Sequence, residues 1–227
     1  MCIRDRYGTK KHPYKIILCG RKGVGKSKLL SLLRENVDDG YEPQIVRYST
    51  FANSTRHNRS KSKFSTNCDG KDIEVEVWDT GDMEAHSGSA GMTKTYYRSS
   101  HGAILIYEKS DEMSKTDLSG WAKQIQDANG LHCVMSVWCN NKLEEFGSGL
   151  ETRDSISTLL DMYNINPRLH FTYTKADPRY IHTCFNQLVG EIHTYNQQNP
   201  IPVSESIRLD DSPVPKWKKI LKCQCRN

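Results

Sequence analysis

Short apolar runs alternate with stretches of helical spacing along most of this chain. Tyr14–Cys19, Ile73–Trp78, Ala103–Tyr107, Val134–Cys139 and Leu169–Thr172 read as strands, being four to six residues of mainly β-branched, aromatic or aliphatic type. Lys26–Asn36, Asp117–Ala128, Asp154–Tyr163 and Pro178–Asn196 carry apolar residues three and four apart and read as helices. The cluster Asn67-Cys-Asp-Gly70, set between alternating residues, reads as a hairpin turn feeding the strand at Ile73. Strand and helix in alternation predict an α/β domain, a mostly parallel sheet with helices on both faces.

Three segments stand apart from this pattern. Thr50–Lys63 is polar and basic without periodicity and is expected to be a loop insertion (50–63). From residue 197 to 227 the chain turns proline-rich and ends in Lys216-Trp-Lys-Lys-Ile-Leu-Lys222-Cys-Gln-Cys225, a linker with a basic tip. Residues 1–6, Met-Cys-Ile-Arg-Asp-Arg, are the translation of a transposase-end adaptor used in sequencing libraries. They are expected to be an artefact, with native sequence from residue 7. A source transcript reading natively upstream of Tyr7 without those codons is the check.

Composition narrows the class. A chain of 227 residues can bury one substantial core. The eight cysteines are scattered without metal-ligand spacing, so reduced thiols are expected rather than a disulfide frame. The net charge of +5 hides a division: four positive charges lie at Arg56, Arg59, Lys61 and Lys63, and five at Lys216, Lys218, Lys219, Lys222 and Arg226. Without those nine the rest stands at −4. A basic face on the folded body is therefore not expected, and neither is a nucleic-acid partner.

The most informative stretch is Gly20-Arg21-Lys22-Gly23-Val24-Gly25-Lys26-Ser27, with Lys28 following, which fits G-x-x-x-x-G-K-[ST] at every fixed position. It lies between an expected strand and an expected helix, the context a phosphate-binding loop requires. Glycines allow successive N–H groups to converge on one anion, and the helix start adds partial positive charge. Lys26 is placed to reach the β- and γ-phosphates, and the Ser27 hydroxyl to ligate Mg²⁺. The alternative is a glycine-rich turn that only caps a helix.

With this loop come Trp78-Asp-Thr80, Tyr96-Tyr-Arg-Ser-Ser-His-Gly-Ala-Ile-Leu-Ile-Tyr107, Trp121 and Asn141-Lys142, in that order. Together they resemble a small GTPase of the Ras superfamily, nearest in wording to its Rab branch, from about Tyr14 to Asn196, which implies a GTPase domain over residues 7–196. The resemblance implies a Ras-like P-loop fold with a six-stranded sheet, GTP or GDP with Mg²⁺ as ligands, and a monomer that meets effector and exchange-factor proteins. It also implies a cytoplasmic protein, peripheral on endomembranes. Asp79 resembles the carboxylate that holds Mg²⁺; a strand-end aspartate capping the next turn is the alternative. Asn141-Lys142-Leu143-Glu144 is similar to Asn-Lys-x-Asp, with Glu144 keeping a carboxylate for guanine N1–H and N2–H. Tyr173-Thr174-Lys175, after Thr172, resembles the last base-binding loop, Thr174 offering its N–H to guanine O6.

The switch residues depart from that family. Tyr41-Glu-Pro-Gln44-Ile is similar to Tyr-Asp-Pro-Thr-Ile, with Gln44 where a threonine would ligate Mg²⁺, and Val37 stands where a phenylalanine often stacks on guanine. Met83 takes the place of the glutamine that orients the attacking water. A thioether accepts weakly and cannot donate, so Met83 cannot do that work. Asp82 replaces a glycine beside the γ-phosphate; at about 5 Å and an effective dielectric near 20, each like-charge pair costs roughly 3 kcal/mol before screening. These changes imply slow GTP hydrolysis, or a pseudo-GTPase scaffold. Cys223 and Cys225 form a C-x-C near the end that is similar to a Rab prenylation site, although no C-a-a-X box is present. Lipid on those thiols plus the lysines would supply two membrane-binding signals.

Lys22 occupies a place where the family has a small residue, and it is expected to pair with Asp82 across the γ-phosphate site. In a double-mutant cycle of Lys22→Gly and Asp82→Gly, GTP affinity should show a coupling energy; strictly additive effects would dismiss the pair.

Overall fold

The computed structural model describes residues 7–35, 61–68, 70–79, 96–142 and 156–199, together with the backbone of 46–49 and 153–155. In chain order the elements are β1 (Tyr14–Cys19), α1 (Lys26–Arg34), β2 (Val46–Ser49), β3 (Lys61–Cys68), β4 (Lys71–Asp79), β5 (Gly102–Glu108), α2 (Glu112–Thr116), α3 (Leu118–Asn129), β6 (Val134–Asn140), α4 (Arg153–Met162), β7 (His170–Tyr173) and α5 (Pro178–Gln198). One sheet holds the strands in the order β2-β3-β4-β1-β5-β6-β7. The pairs from β4 through β1, β5 and β6 to β7 are parallel, while β2–β3 and β3–β4 are antiparallel.

The central strands are buried on both sides, which is why they read as continuous apolar runs. Alternate residues feed two cores. Ile16, Leu18, Val75, Val77, Ile104, Ile106 and Trp138 face α1 and α5, where they meet Leu29, Leu33, Phe185 and Leu188. Ile17, Cys19, Ala103, Leu105, Val137 and Cys139 face α3 and α4, meeting Leu118, Ala122, Ile125 and Leu159. The expected layering of helices on both faces is present.

Local chemistry sets most boundaries. At the β3–β4 turn, Asn67 Oδ1 accepts from the Gly70 N–H at 3.1 Å, a local side-chain bond that holds the turn closed. Asp111 caps α2 through bonds from the Met113 and Ser114 N–H groups. Asp177 does the same for α5, accepting from Tyr180 N at 3.0 Å, with Pro178 at the first helical position.

Four features differ from expectation. The sheet has a seventh strand, β2, which pairs with β3 from Val46↔Thr66 to Ser49↔Lys63 and extends the antiparallel side. Lys61, Ser62 and Lys63, expected at the end of a basic loop, open β3 instead, because Phe64 and Ser62 turn into the core while the lysines alternate outward. The basic character hides a two-residue period there. The short helix α2 was not expected; its five residues are organised by the Asp111 cap and Ser114, whose hydroxyl donates to Asp111 O at 2.7 Å. The leucine expected to begin the last strand, Leu169, ends a 3-10 turn ahead of β7.

At the sheet end remote from the Gly20 loop, Lys15 and His101 exchange bonds. His101 Nδ1 accepts from Lys15 N at 3.1 Å, and the His101 N–H donates to Lys15 O at 2.8 Å. Tyr7 lies over the imidazole at 4.6 Å, and His101 Nε2 is buried without a partner. Burial, with Lys15 adding to it, pushes the imidazole pKa down from 6.5 to about 4.

Two outcomes follow from this packing. The folded state holds His101 neutral while the unfolded chain protonates near pH 6.5, so its contribution is complete above that pH and is lost as pH falls towards 4. The loss should reach about 3 kcal/mol, and urea unfolding across that window should show roughly one proton less uptake in His101→Gln than in the parent. Gly20 has φ +144 and a Cβ there would sit 2.2 Å from the Ile106 carbonyl oxygen. Gly20→Ala should therefore destabilise the fold by about 2 kcal/mol or more, read as a lowered urea midpoint; an unchanged midpoint contradicts it.

Candidate functional site

The parallel strands β1, β5, β6 and β7 end on the same side of the sheet, and the loops that follow them gather there, where open α/β sheets bind ligands. The loop after β1 is the glycine-rich stretch. Gly20, Gly23 and Gly25 have φ of +144, +92 and +104, a backbone path that side-chain-bearing residues rarely follow. Lys26 opens α1 and is buried; its ammonium arches back over the loop, donating to Gly20 O and, at 3.0 Å, to Arg21 O. Ser27, one residue on, donates from Oγ to Asp79 Oδ2 at 2.7 Å.

That last contact tests the fit for Mg²⁺. A hydroxyl and a carboxylate from the start of α1 and the end of β4 meet in one place, and both are hard oxygen donors of the kind Mg²⁺ takes. The residues present fit the ion. Asp79 is held in turn by its backbone: its carbonyl accepts from the Tyr96 hydroxyl at 3.2 Å. Tyr96 packs edge-on against Trp78 at 5.2 Å, and the ammonium groups of Lys15 and Lys61 lie 4.3 and 3.7 Å from the Trp78 ring. Burial pushes the Lys15 pKa down to about 8, with Lys61 adding to it.

A second group comes from the end of β6. Lys142 donates to Gly23 O at 2.9 Å and pairs with Glu108 of β5. Asn140, buried, donates from Nδ2 to Val24 O at 2.9 Å. The Asn141 N–H donates to Tyr173 O at 2.9 Å, which joins the ends of β6 and β7. Thr174 and Lys175 follow β7 directly, so they lie at the same end of the sheet as Asn141 and Lys142, of which Lys142 reaches the loop.

The remaining expected residues divide. Arg21 turns to Asp117 at the start of α3, 3.4 Å away, in an exposed pair of small energetic weight. Lys22 is exposed. Lys28 lies at 4.0 Å from Glu35 on the surface of α1. The Tyr173 ring turns into the core against Trp138 at 5.8 Å, and its hydroxyl is buried without a hydrogen-bond partner beneath Gly25. Burial pushes that phenol well above its ordinary value. Val37, Tyr41, Gln44, Asp82, Met83, Glu144, Cys223 and Cys225 lie outside the described residues, and with them the Lys22–Asp82 pair.

Sequence reasoning passed over Asn140, Glu108 and Tyr96. Asn140 carried a usable signal: it is a second asparagine directly before Asn141, at the end of an otherwise apolar strand. Buried amides are kept where they have partners.

Among the described residues, no helix is long and apolar enough to cross a membrane, and no cluster of three or more histidine, cysteine or acidic residues could hold a metal ion by itself.

Comparison with known proteins agrees with this arrangement. The family profile described as "Roc: Ras of Complex, Roc, domain of DAPkinase" matches residues 15–144. Ras-related protein YPTC6 of Chlamydomonas reinhardtii is 27% identical over 182 residues, covering 79% of this chain and 75% of that protein. GTP-binding protein YPT1 of Saccharomyces cerevisiae is 33% identical over 131 residues, 58% of this chain and 56% of that protein. Ras-related protein RABA1i of Arabidopsis thaliana is 30% identical over 124 residues, 55% of this chain, and the match spans half of that protein's length. A glycine loop closed by its own lysine, a Ser27–Asp79 hydrogen bond at its end and a profile covering more than half of the chain lead to one conclusion: this chain belongs to the Ras-of-complex family of GTPase domains, as a Rab-like small GTPase.

Proposed function

We propose that the chain is a guanine-nucleotide switch in vesicle traffic whose GTP-bound form is long-lived. The observation that carries this reading is the preformed phosphate loop, with Lys26 drawn across it and Ser27 against Asp79. The names of the relatives, Ras-related and GTP-binding, support the nucleotide class.

On binding, Lys26 exchanges its two carbonyl partners for β- and γ-phosphate oxygens, a charge-assisted bond in place of a neutral one. Ser27 and Asp79 would hold Mg²⁺, which when bound offsets phosphate charge. Asn141, Lys142, Glu144, Thr174 and Lys175 form the base side. A carboxylate at 144 still accepts two N–H bonds from guanine, which adenine cannot offer, so guanine is preferred. Hydrolysis is another matter. Met83 cannot orient water and Gln44 alters the loop that would close over the γ-phosphate, so binding persists while cleavage slows. Effector and exchange-factor proteins would then read the switch, and a lipid-modified Cys223 or Cys225 with the tail lysines would hold it peripherally on endomembranes.

A second reading rests on the altered residues Val37, Gln44, Asp82, Met83 and Glu144: a pseudo-GTPase that serves as a scaffold, locked to nucleotide or free of it.

The test is to denature the purified protein, identify any released nucleotide, then load GTP and follow its decay. Stoichiometric guanine nucleotide with decay about tenfold or more slower than in the Gln44→Thr/Met83→Gln double variant is the expected result, and chelating Mg²⁺ should speed release. Turnover no slower than in that variant would contradict the long-lived GTP form, and an absence of any nucleotide binding would favour the scaffold.

A further inference from the structure

Away from the phosphate loop, at the opposite end of the sheet, the described residues enclose a cavity of about 600 Å³. It lies where α3 and α4 end and β6 begins, with α5 along one side. Local bonds hold its rim. The Tyr195 hydroxyl of α5 donates to Leu131 O at 2.7 Å, which fixes the link between α3 and β6. The Ile165 N–H donates to Leu160 O at 2.8 Å and closes the end of α4, where Asn164 takes a positive φ of 52°. Leu131, Met135, Leu160 and Ile165 supply apolar lining, and Leu131 is 66% exposed. The charged residues of the lining are Asp161 of α4 and Glu191 of α5, both exposed, and neither carboxylate has an ion-pair partner among the described residues. Apolar walls with unopposed negative charge suit a cationic segment that carries an apolar anchor.

We propose that this cavity is the docking site of the chain's own basic tip, residues 216–222, with Trp217 as the anchor. Docking there goes beyond the switch function and does not depend on what the phosphate loop holds. The tip carries Lys216, Lys218, Lys219 and Lys222 to set against Asp161 and Glu191. Between those lysines stand Trp217, Ile220 and Leu221, three and four apart, the spacing of anchors that enter a groove together. An indole removes about 150–250 Å² from water when it is enclosed, enough to act as the main anchor. The course of the chain also favours this occupant. Tyr195 lines the cavity and lies in the last turn of α5, so the chain leaves the helix beside the opening. Residues 200–215 can span about 50 Å when extended, far more than the return requires. Attachment to the same chain gives the tip an effective concentration in the millimolar range, so a weak contact suffices. Lysines held against Asp161 and Glu191 are withheld from an anionic bilayer, so a docked tip and a membrane-bound tip exclude each other.

The experiment labels the full chain with 5-fluorotryptophan and identifies the Trp217 signal by its loss in Trp217→Phe. Accessibility is read from the relaxation caused by a soluble paramagnetic agent. The expected result is an effect on Trp217 about threefold or more weaker than in a synthetic peptide of residues 212–222. Joint replacement Asp161→Lys and Glu191→Lys should raise the effect to the peptide value. Leu131→Ser, at an exposed position, serves in the same way if the charge-reversed protein does not fold. Peptide-like access in the parent chain would overturn the proposal, as would protection that survives these substitutions. Protection lost on dilution, together with a dimer in sedimentation, would give the cavity to a second copy's tip and overturn docking within one chain. Protection that arises only on adding phosphatidylserine–phosphatidylcholine vesicles would assign Trp217 to lipid and likewise overturn it.

Discussion

Four carbonyl groups of one glycine loop accept hydrogen bonds from side chains, and the site depends on that constraint. Lys26 takes Gly20 O and Arg21 O, Lys142 takes Gly23 O and Asn140 takes Val24 O. A stretch with three glycines at positive φ has little stiffness of its own, because glycine visits many backbone conformations at similar cost. Rigidity has to come from outside. Here it comes from the first turn of α1 and the end of β6, so the loop's shape is inherited from the sheet that carries those elements.

The sheet is suited to that service because its central strands are packed on both faces. β1 delivers the loop, β4 delivers Asp79, and β6 and β7 deliver the base side. Neither core can yield without disturbing the register that sets these four ends level. Gly20 shows how close the tolerance is, with its Cα against the Ile106 carbonyl of the neighbouring strand. The opposite end of the sheet is closed in a different way, by aromatic and imidazole rings. There Tyr7, Tyr14 and His101 pack together, and the neutral form of His101 is what the burial favours.

In the proposed reading three of the departures from the family, at 44, 82 and 83, fall where the γ-phosphate would be met and two, at 37 and 144, on the base side, while the fixed positions of the glycine loop keep the family pattern. Lys26, Ser27 and Asp79 keep their types; Lys26 closes over the loop carbonyls and Ser27 meets Asp79. Gln44, Asp82 and Met83 change type. In that reading the chain keeps groups that bind the ground state and lacks groups that act only on the transition state, which is the physical content of the slow switch proposed above.

Much of this molecule was legible before any coordinates. The strands at Tyr14, Ala103 and Val134 announced themselves because burial on both faces demands nearly continuous apolar runs, the strand at Ile73 because its apolar residues alternate with glutamate, and the phosphate loop because glycine spacing and a following lysine have few other uses. The residues that serve the site from a distance were not legible in the same way. Asn140 reaches Val24, and Tyr96 reaches Asp79, only because the chain returns on itself; no local pattern encodes a bond between residues 116 apart in the one case or 17 apart in the other. The seventh strand and the strand character of Lys61–Lys63 were hidden for a related reason. β3 mixes lysine and serine with single buried residues, and the pairing of β2, β3 and β4, rather than composition, decides the strand conformation there. Sequence settled which chemistry the chain carries, since that is a matter of residue type and spacing; tertiary structure alone settled which side chains hold that chemistry in place, since that is a matter of distance.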